Sequence, residues 1–156
     1  MPLVLEHVAA PTDDARVLID ELDAELSGSY APEQRHGFSI ARVFGPGVLF
    51  FIARLDGDPV GCGGIAFEEG FAEVKRMYVR PQARGRTVAG TILTRLEEEA
   101  RIRGVTRIAL ETGDAQQAAI RFYERAGFTR CAAFGAYATM PPHAIERSVF
   151  FEKWIV

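Results

Sequence analysis

Apolar residues follow two different spacings along the chain, and the spacing changes near the middle. Alternating or β-branched apolar runs predict strands at residues 3–8, 48–54, 60–67 and 71–79. Asp56-Gly57-Asp58 and Glu68-Glu69-Gly70 separate the last three of these runs and are typical of tight turns. The first half of the sequence therefore predicts an antiparallel meander.

Two helices are predicted between the first and second strands. The first carries apolar residues at helical spacing between Pro11 and Gly28, with acidic residues in its first turn at the positive end of the helix dipole. The second is predicted from Pro32 until Gly45-Pro46-Gly47 breaks it.

The second half of the chain alternates helices with strands. Val88, Ile92, Leu96 and Ala100 predict a helix that begins near residue 86 and ends at Gly104. The elements predicted after it are a strand at 105–110, a helix at 115–125 and strands from residue 128 and at 148–155. This β-α-β-α-β order predicts an α/β fold with a partly parallel sheet and crossover helices, in a single domain that spans residues 1–156.

Composition narrows the function classes. The 156 residues are 48% hydrophobic and 25% charged, as in an ordinary globular domain. The net charge of -3, without a basic tail, argues against a nucleic-acid partner. No apolar run approaches the ~20 residues that span a bilayer, and the start lacks a secretion signal, so a cytoplasmic location without membrane contact is expected. Cys62 and Cys131 form no cluster of metal-ligand spacing, and no metal is expected.

The most informative segment is the glycine-containing loop at residues 78–90. A strand ends at Pro81 and a helix begins near Arg86, so the first N–H groups of that helix can bind an anion. A plain strand-to-helix turn is one interpretation. Gly85 and Gly90 have the spacing of a nucleotide P-loop, but Thr91 replaces its lysine, and the G-x-G start of a dinucleotide fingerprint is absent. Beside the plain turn, the interpretation that remains is an anion site for the diphosphate of coenzyme A.

Two motifs resemble those of the GNAT acetyltransferase superfamily. The acyl-CoA signature Q/R-x-x-G-x-G/A matches Gln82-Ala83-Arg84-Gly85-Arg86. The sequence departs from this signature at the next residue, Thr87, where Gly or Ala is usual, and we expect Thr87 to adopt a helical φ without strain. The segment at 116–128 is similar to the helix N-x-x-A-x-x-x-Y that ends in G-F, with Gln116 in place of Asn. Together the motifs cover roughly residues 71–128, in the family's order.

The resemblance implies the GNAT fold and transfer of an acetyl group from acetyl-CoA to a primary amine of a small molecule or amino acid. A non-catalytic acyl-CoA-binding module and a protein amino-group acetyltransferase are the alternatives, and a homodimer is left open. The residues that it implies for coenzyme A are Met77, Tyr78, Val79, Gln82, Arg84, Gly85, Arg86, Thr87, Val88, Ala89, Gly90, Gln116, Ala119, Phe122 and Tyr123.

Catalytic roles follow from the same resemblance. Tyr123 is the expected acid, because a phenol can protonate the departing thiolate, and the alternative is an aromatic residue that packs its helix on the sheet. Glu73 is the candidate base, although it can equally be a solvent-facing strand carboxylate paired with Lys75. The family's splayed strand offers an N–H near Met77 to polarise the thioester carbonyl. The acceptor pocket is predicted around Tyr30, Phe38 and Tyr137.

Overall fold

The computed structural model describes residues 2–85 and 87–156, so the predicted coenzyme A contact Arg86 lies outside the described residues. Within that part of the chain, one mixed sheet has the order β1-β2-β3-β4-β5-β7-β6. Its strands are β1 Leu3–His7, β2 Val48–Leu55, β3 Asp58–Glu68, β4 Phe71–Val79, β5 Arg107–Gly113, β6 Thr129–Arg130 and β7 Ser148–Trp154. Strands β4 and β5 pair in parallel and the other neighbours are antiparallel, which confirms the predicted meander and mixed sheet.

Helices cover both faces of this sheet. They are α1 Asp13–Ser27, α2 Ile40–Val43, α3 Val88–Ile102, α4 Gln117–Arg125 and α5 Pro142–Ile145, with 3-10 turns at Pro32–Gln34, Pro81–Ala83 and Gly135–Thr139. The Thr12 hydroxyl caps α1 by accepting a hydrogen bond from the Ala15 N–H at 3.2 Å. No helix among the described residues is both long and apolar enough to cross a membrane.

The side chains of β2 show why both faces need cover. Phe51 packs into the core beneath α3 and α4, whereas Phe50 and Ile52 pack on the opposite face beneath α1 and α2. Successive strand residues point to opposite faces, so a strand with apolar residues at every position is buried on both sides.

The predicted second helix is wrong as a continuous element. The chain forms the 3-10 turn at Pro32–Gln34 and the four-residue α2, and the backbone between them is extended, with Arg35 at φ -104° and ψ 124°. The carbonyl of His36 accepts a hydrogen bond from Lys75 Nζ at 2.6 Å instead of serving a helix. Ser39 then restarts helical structure by accepting a hydrogen bond from the Arg42 N–H at 3.2 Å.

Strands β4 and β5 separate toward their carboxyl ends. Their pairing covers only Ala72–Val74 of β4, opposite Ile108–Leu110 of β5. Beyond this point β4 follows β3, with a register shift and a positive φ of 57° at Arg76, while β5 follows β7 as far as Gly113. The splay opens a cleft in the middle of the sheet, as the resemblance implied.

Candidate active site

A groove of about 340 Å³ runs from the splayed end of β4 to the first turn of α3 and across to α4. Most of the residues predicted to contact coenzyme A line it, namely Met77, Tyr78, Val79, Arg84, Gly85, Thr87, Val88, Ala89, Gly90, Gln116, Ala119, Phe122 and Tyr123. Gln82 is not among the lining residues. Leu22 and Glu25 of α1, together with Ala83 and Ala118, also line the groove, and the motifs carry no signal for the two α1 residues.

The turn before α3 is more strained than expected. Gly85 has a φ of 81° and Thr87 a φ of 61°, so the expected helical φ at Thr87 is wrong. A β-branched residue rarely adopts the left-handed region, and doing so costs about 1–2 kcal/mol. The Thr87 carbonyl accepts hydrogen bonds from the Thr91 N–H at 3.0 Å and the Thr91 hydroxyl at 2.9 Å, which fixes the first turn of α3.

Arg84 is already engaged on the rim of this groove. Its Nε donates a hydrogen bond to the Val79 carbonyl at 2.9 Å, and its Nη2 pairs with Glu25 at 3.1 Å. A phosphate that used Arg84 would therefore compete with the Glu25 carboxylate.

Tyr123 lies where the groove meets a second, smaller cavity. Its ring is buried between Phe122 and Phe128, with centroids 5.2 and 5.7 Å away, and no described residue hydrogen-bonds to its hydroxyl. Burial raises the pKa of this phenol above its ordinary value, so the proton stays on oxygen at neutral pH. Chemically, such a group can donate a proton and cannot serve as a base.

The smaller cavity has a volume of about 130 Å³ and opens between the splayed strands. It shares Leu22, Met77, Gln116, Ala119 and Tyr123 with the groove. Its remaining polar wall is formed by Tyr30, Gln34, Arg35, His36, Lys75, Arg76, Glu111 and Thr112. Because Tyr30 of the predicted acceptor pocket lines this cavity, we call it the acceptor cavity.

Glu111 is a carboxylate of the acceptor cavity that the sequence interpretation missed. The Ser148 hydroxyl donates a hydrogen bond to Oε2 at 2.7 Å, and no described residue donates one to Oε1. Desolvation raises the pKa of this carboxyl, although the Ser148 hydrogen bond and then the nearby His36 and Lys75 act in the opposite direction. The strand was predicted to end at residue 110, whereas β5 continues to Gly113 because it pairs with β7.

Glu73 lines a different cavity, of about 560 Å³, together with Phe38, Lys75 and Tyr137. It is only 6% exposed, accepts a hydrogen bond from the Tyr137 hydroxyl at 2.6 Å and lies 3.4 Å from Lys75 Nζ. Lys75 Nζ in turn donates to the Tyr137 hydroxyl at 2.9 Å. The anticipated Glu73–Lys75 pair is thus present, but it is buried rather than solvent-facing.

The three predicted acceptor residues are divided between the two cavities. Tyr30 lines the acceptor cavity, and its hydroxyl accepts a hydrogen bond from the Ala115 N–H at 2.9 Å. Phe38 and Tyr137 line the second cavity instead. Among the described residues, no group of three or more His, Cys, Asp or Glu side chains could hold a metal ion.

The groove, the strand splay and the glycine turn agree with a known family. Residues 16–128 match the acetyltransferase (GNAT) family. The chain belongs to this family. It is 40% identical over 156 residues to the IAA acetyltransferase of Azospirillum brasilense, covering 98% of this chain and 99% of that protein.

Solved structures show the same GNAT fold. An acyl-CoA N-acyltransferase from Klebsiella pneumoniae is 32% identical, with a TM-score of 0.78 over 99% of this chain and 98% of that one. PaiA N-acetyltransferase from Thermoplasma acidophilum, solved in complex with coenzyme A, is 16% identical, with a TM-score of 0.72 over 99% of both chains. Family membership confirms the predicted enzyme class, N-acetyltransferase, and supports acetyl-CoA as the co-substrate.

Proposed function

We propose that this GNAT protein transfers the acetyl group of acetyl-CoA directly to the primary amine of a small molecule, which binds in the acceptor cavity. One observation carries the proposal: the groove and the acceptor cavity meet at Tyr123, in the opening between β4 and β5. A thioester in the groove would therefore face an amine in the cavity.

The start of α3 fits the diphosphate of coenzyme A. The N–H groups of Val88, Ala89 and Gly90 open a 15-residue helix and have no carbonyl partners within it, so they can bind an anion. A Cβ placed on Gly85 or Gly90 would meet no described atom within 4 Å, so there is open space beside the turn. In the part of the chain that the structure describes, the backbone of β4 beyond Val74 has no strand partner on the β5 side, so it is available to the pantetheine arm.

Two side chains of the acceptor cavity can move the protons of the reaction. The amine nitrogen attacks the thioester carbonyl, the C–S bond breaks, and the nitrogen loses a proton. Glu111 is the better-placed acceptor for that proton, since it shares the cavity with Tyr123 and has one oxygen free of described donors. Tyr123 can give its proton to the leaving thiolate. It can then regain a proton from solvent, or from Glu111 while the products are still bound.

A free-thiol release assay tests the function. Acetyl-CoA is offered with amino acids, polyamines, aminoglycosides, lysine peptides and IAA, the compound in the name of the Azospirillum relative. We expect amine-dependent thiol release with a small primary amine. Thermal stabilisation by acetyl-CoA without thiol release from any acceptor would indicate an acyl-CoA-binding module instead. Preference for lysine peptides would indicate a protein acetyltransferase. The cytoplasmic location and the homodimer stay predictions.

A further inference from the structure

Arg35 is a cation of the acceptor cavity that has no acidic partner among the described residues. Ten described arginines form ion pairs. The described arginines without an ion pair other than Arg35 are all exposed, namely Arg16, Arg121, Arg125 and Arg130. Arg35 is half-buried, and its Nε is buried without a described hydrogen-bond partner. The Nε of Arg76 is in the same position, but Arg76 forms an ion pair with Asp23, whereas Arg35 forms none with a described residue. A buried guanidinium donor without an acceptor is costly, which indicates that an acceptor group from outside the chain completes it.

The segment that carries Arg35 is fixed on both sides. His36 Nε2 donates a hydrogen bond to the Ala144 carbonyl at 2.7 Å, and Lys75 Nζ donates to the His36 carbonyl at 2.6 Å. On the other side, Gln34 Nε2 donates to Glu146 at 3.2 Å. The backbone at Arg35 is therefore held against the cavity while its guanidinium remains unpaired, as in a site organised before its ligand binds.

The other cations of the cavity are already neutralised. Lys75 pairs with Glu73, and Arg76 pairs with Asp23 at 2.7 Å. Arg35 and Glu111 line the same cavity but do not form an ion pair with each other. Among the described residues, the cavity thus presents one cation without an ion pair, Arg35, and one carboxylate, Glu111, that are not paired with each other.

We infer that the acceptor is a small amine that also carries a carboxylate, with the carboxylate bound by Arg35 and the amine directed to Glu111. This inference rests on the proposed function and narrows its substrate class to amino acids and related amino-carboxylates. A guanidinium can bind a carboxylate with two parallel hydrogen bonds, whereas a neutral amide offers a weaker partner. The volume of about 130 Å³ favours a compact acceptor over a peptide or an aminoglycoside.

The test compares amino acids with their carboxamides and decarboxylated amines in the thiol-release assay. For the natural enzyme, we expect kcat/KM to be about tenfold or more higher for the carboxylate form. Arg35→Met should raise KM for amino acids about ten- to hundredfold and leave KM for the carboxamides unchanged, because it removes only the partner of the carboxylate. Arg35→Lys should recover part of the loss, since it keeps the charge without the planar fork.

Two controls separate recognition from folding. Arg16 is an exposed arginine of α1 that forms no described ion pair, and Arg16→Met should change neither the KM for amino acids nor the KM for carboxamides. The Kd of acetyl-CoA should be the same in Arg35→Met and the natural enzyme, since Arg35 does not line the groove. The deaminated acid should inhibit competitively against the amino acid, and Arg35→Met should weaken that inhibition.

The outcomes distinguish this inference from the proposed function. Thiol release with carboxamides or simple amines as efficient as with amino acids would overturn the inference and leave the acetyltransferase intact. Absence of thiol release with every amine would overturn the proposed function itself. If Arg35→Met does not fold, the comparison of matched acceptors on the natural enzyme and on Arg35→Lys decides the question.

Discussion

Glu111→Gln tests the proton path most directly. The substitution keeps the size of the side chain and an oxygen that can accept the Ser148 hydrogen bond, which is 2.7 Å long in the structure. It removes the group that we place as base. General-base catalysis contributes about 10²–10⁴-fold, or ~3–5 kcal/mol of transition-state stabilisation, so kcat/KM should fall by that factor. The KM of acetyl-CoA should hardly change, because Glu111 does not line the groove.

The pH profile supplies the second measurement. Desolvation raises the pKa of Glu111, so its carboxyl becomes protonated above the pH range usual for glutamate. In the natural enzyme, kcat/KM should fall at low pH for two reasons: the substrate amine is protonated, and below its own pKa the Glu111 carboxylate is protonated too. In Glu111→Gln, only protonation of the substrate amine should lower kcat/KM. A variant that loses activity by the same factor at every pH, with an unchanged profile, would contradict the base assignment.

Stability should move in the opposite direction from activity. The folded carboxyl has a raised pKa, so the folded state binds the proton more tightly than the unfolded state, whose value is near 4.5. Its contribution is therefore most favourable below pH 4.5 and declines as pH rises through the folded pKa. Glu111→Gln removes this decline, and its midpoint of urea unfolding at pH 8 should equal or exceed that of the natural protein. A large loss of stability at pH 8 would show that the carboxylate is needed for folding.

Glu73→Gln is the matched control, since it makes the same chemical change in a buried carboxylate of the neighbouring cavity. With Glu111 as base, Glu73→Gln should keep the natural shape of the pH profile. The opposite result, with the lower limb lost in Glu73→Gln and kept in Glu111→Gln, would return the base role to Glu73.

Three further changes have defined outcomes. Tyr123→Phe should lower kcat about 10²-fold or more while the calorimetric Kd of acetyl-CoA stays the same, because only a proton donor is lost; unchanged kcat would remove Tyr123 from the mechanism. Lys75→Met should lower the free energy of unfolding in urea by about 3–5 kcal/mol, because Glu73 is left as an uncompensated buried charge. The double variant with Glu73→Gln should recover much of this loss, and an equal loss in both variants would contradict the explanation. Gly63→Ala should lower the free energy of unfolding by about 1–3 kcal/mol, because the Cβ of the new alanine would lie 2.7 Å from Ile92 Cγ2. An unchanged free energy of unfolding would mean that the core around Gly63 is loosely packed.

Local signals were enough for most of the fold. Caps, turn residues and apolar spacing fixed α1, the hairpin strands and α3, since each depends on residues that are close in sequence. The failures occur where distant contacts override local preference. The extension of β5 to Gly113 depends on pairing with Ser148 of β7. The break in the predicted second helix depends on Lys75, whose Nζ donates a hydrogen bond to the His36 carbonyl that a helix would otherwise use.

The same distinction explains what could be predicted of the site. The groove lies on a contiguous motif and its edges, so most of its wall could be predicted from the turn and from α4. The acceptor cavity is assembled from segments with no common motif, such as those around Arg35, Arg76 and Glu111. A carboxylate late in an apolar strand is the available signal for Glu111, but the predicted strand ends at residue 110, three residues before Gly113, and so leaves Glu111 outside it.

We propose that the buried network around Lys75 gives Glu73 a positioning role instead of the predicted base role, which stays a prediction. Burial lowers the pKa of Lys75, and the adjacent Glu73 carboxylate opposes that shift by favouring the charged amine. A charged Lys75 is the stronger donor to the His36 carbonyl, and this hydrogen bond fixes the segment that presents Arg35 to the cavity. Glu73 would then support acceptor binding through Lys75 as a positioning residue. On this account, Glu73→Gln weakens binding of the acceptor more than it slows the chemical step, so its effect should appear in KM rather than in kcat.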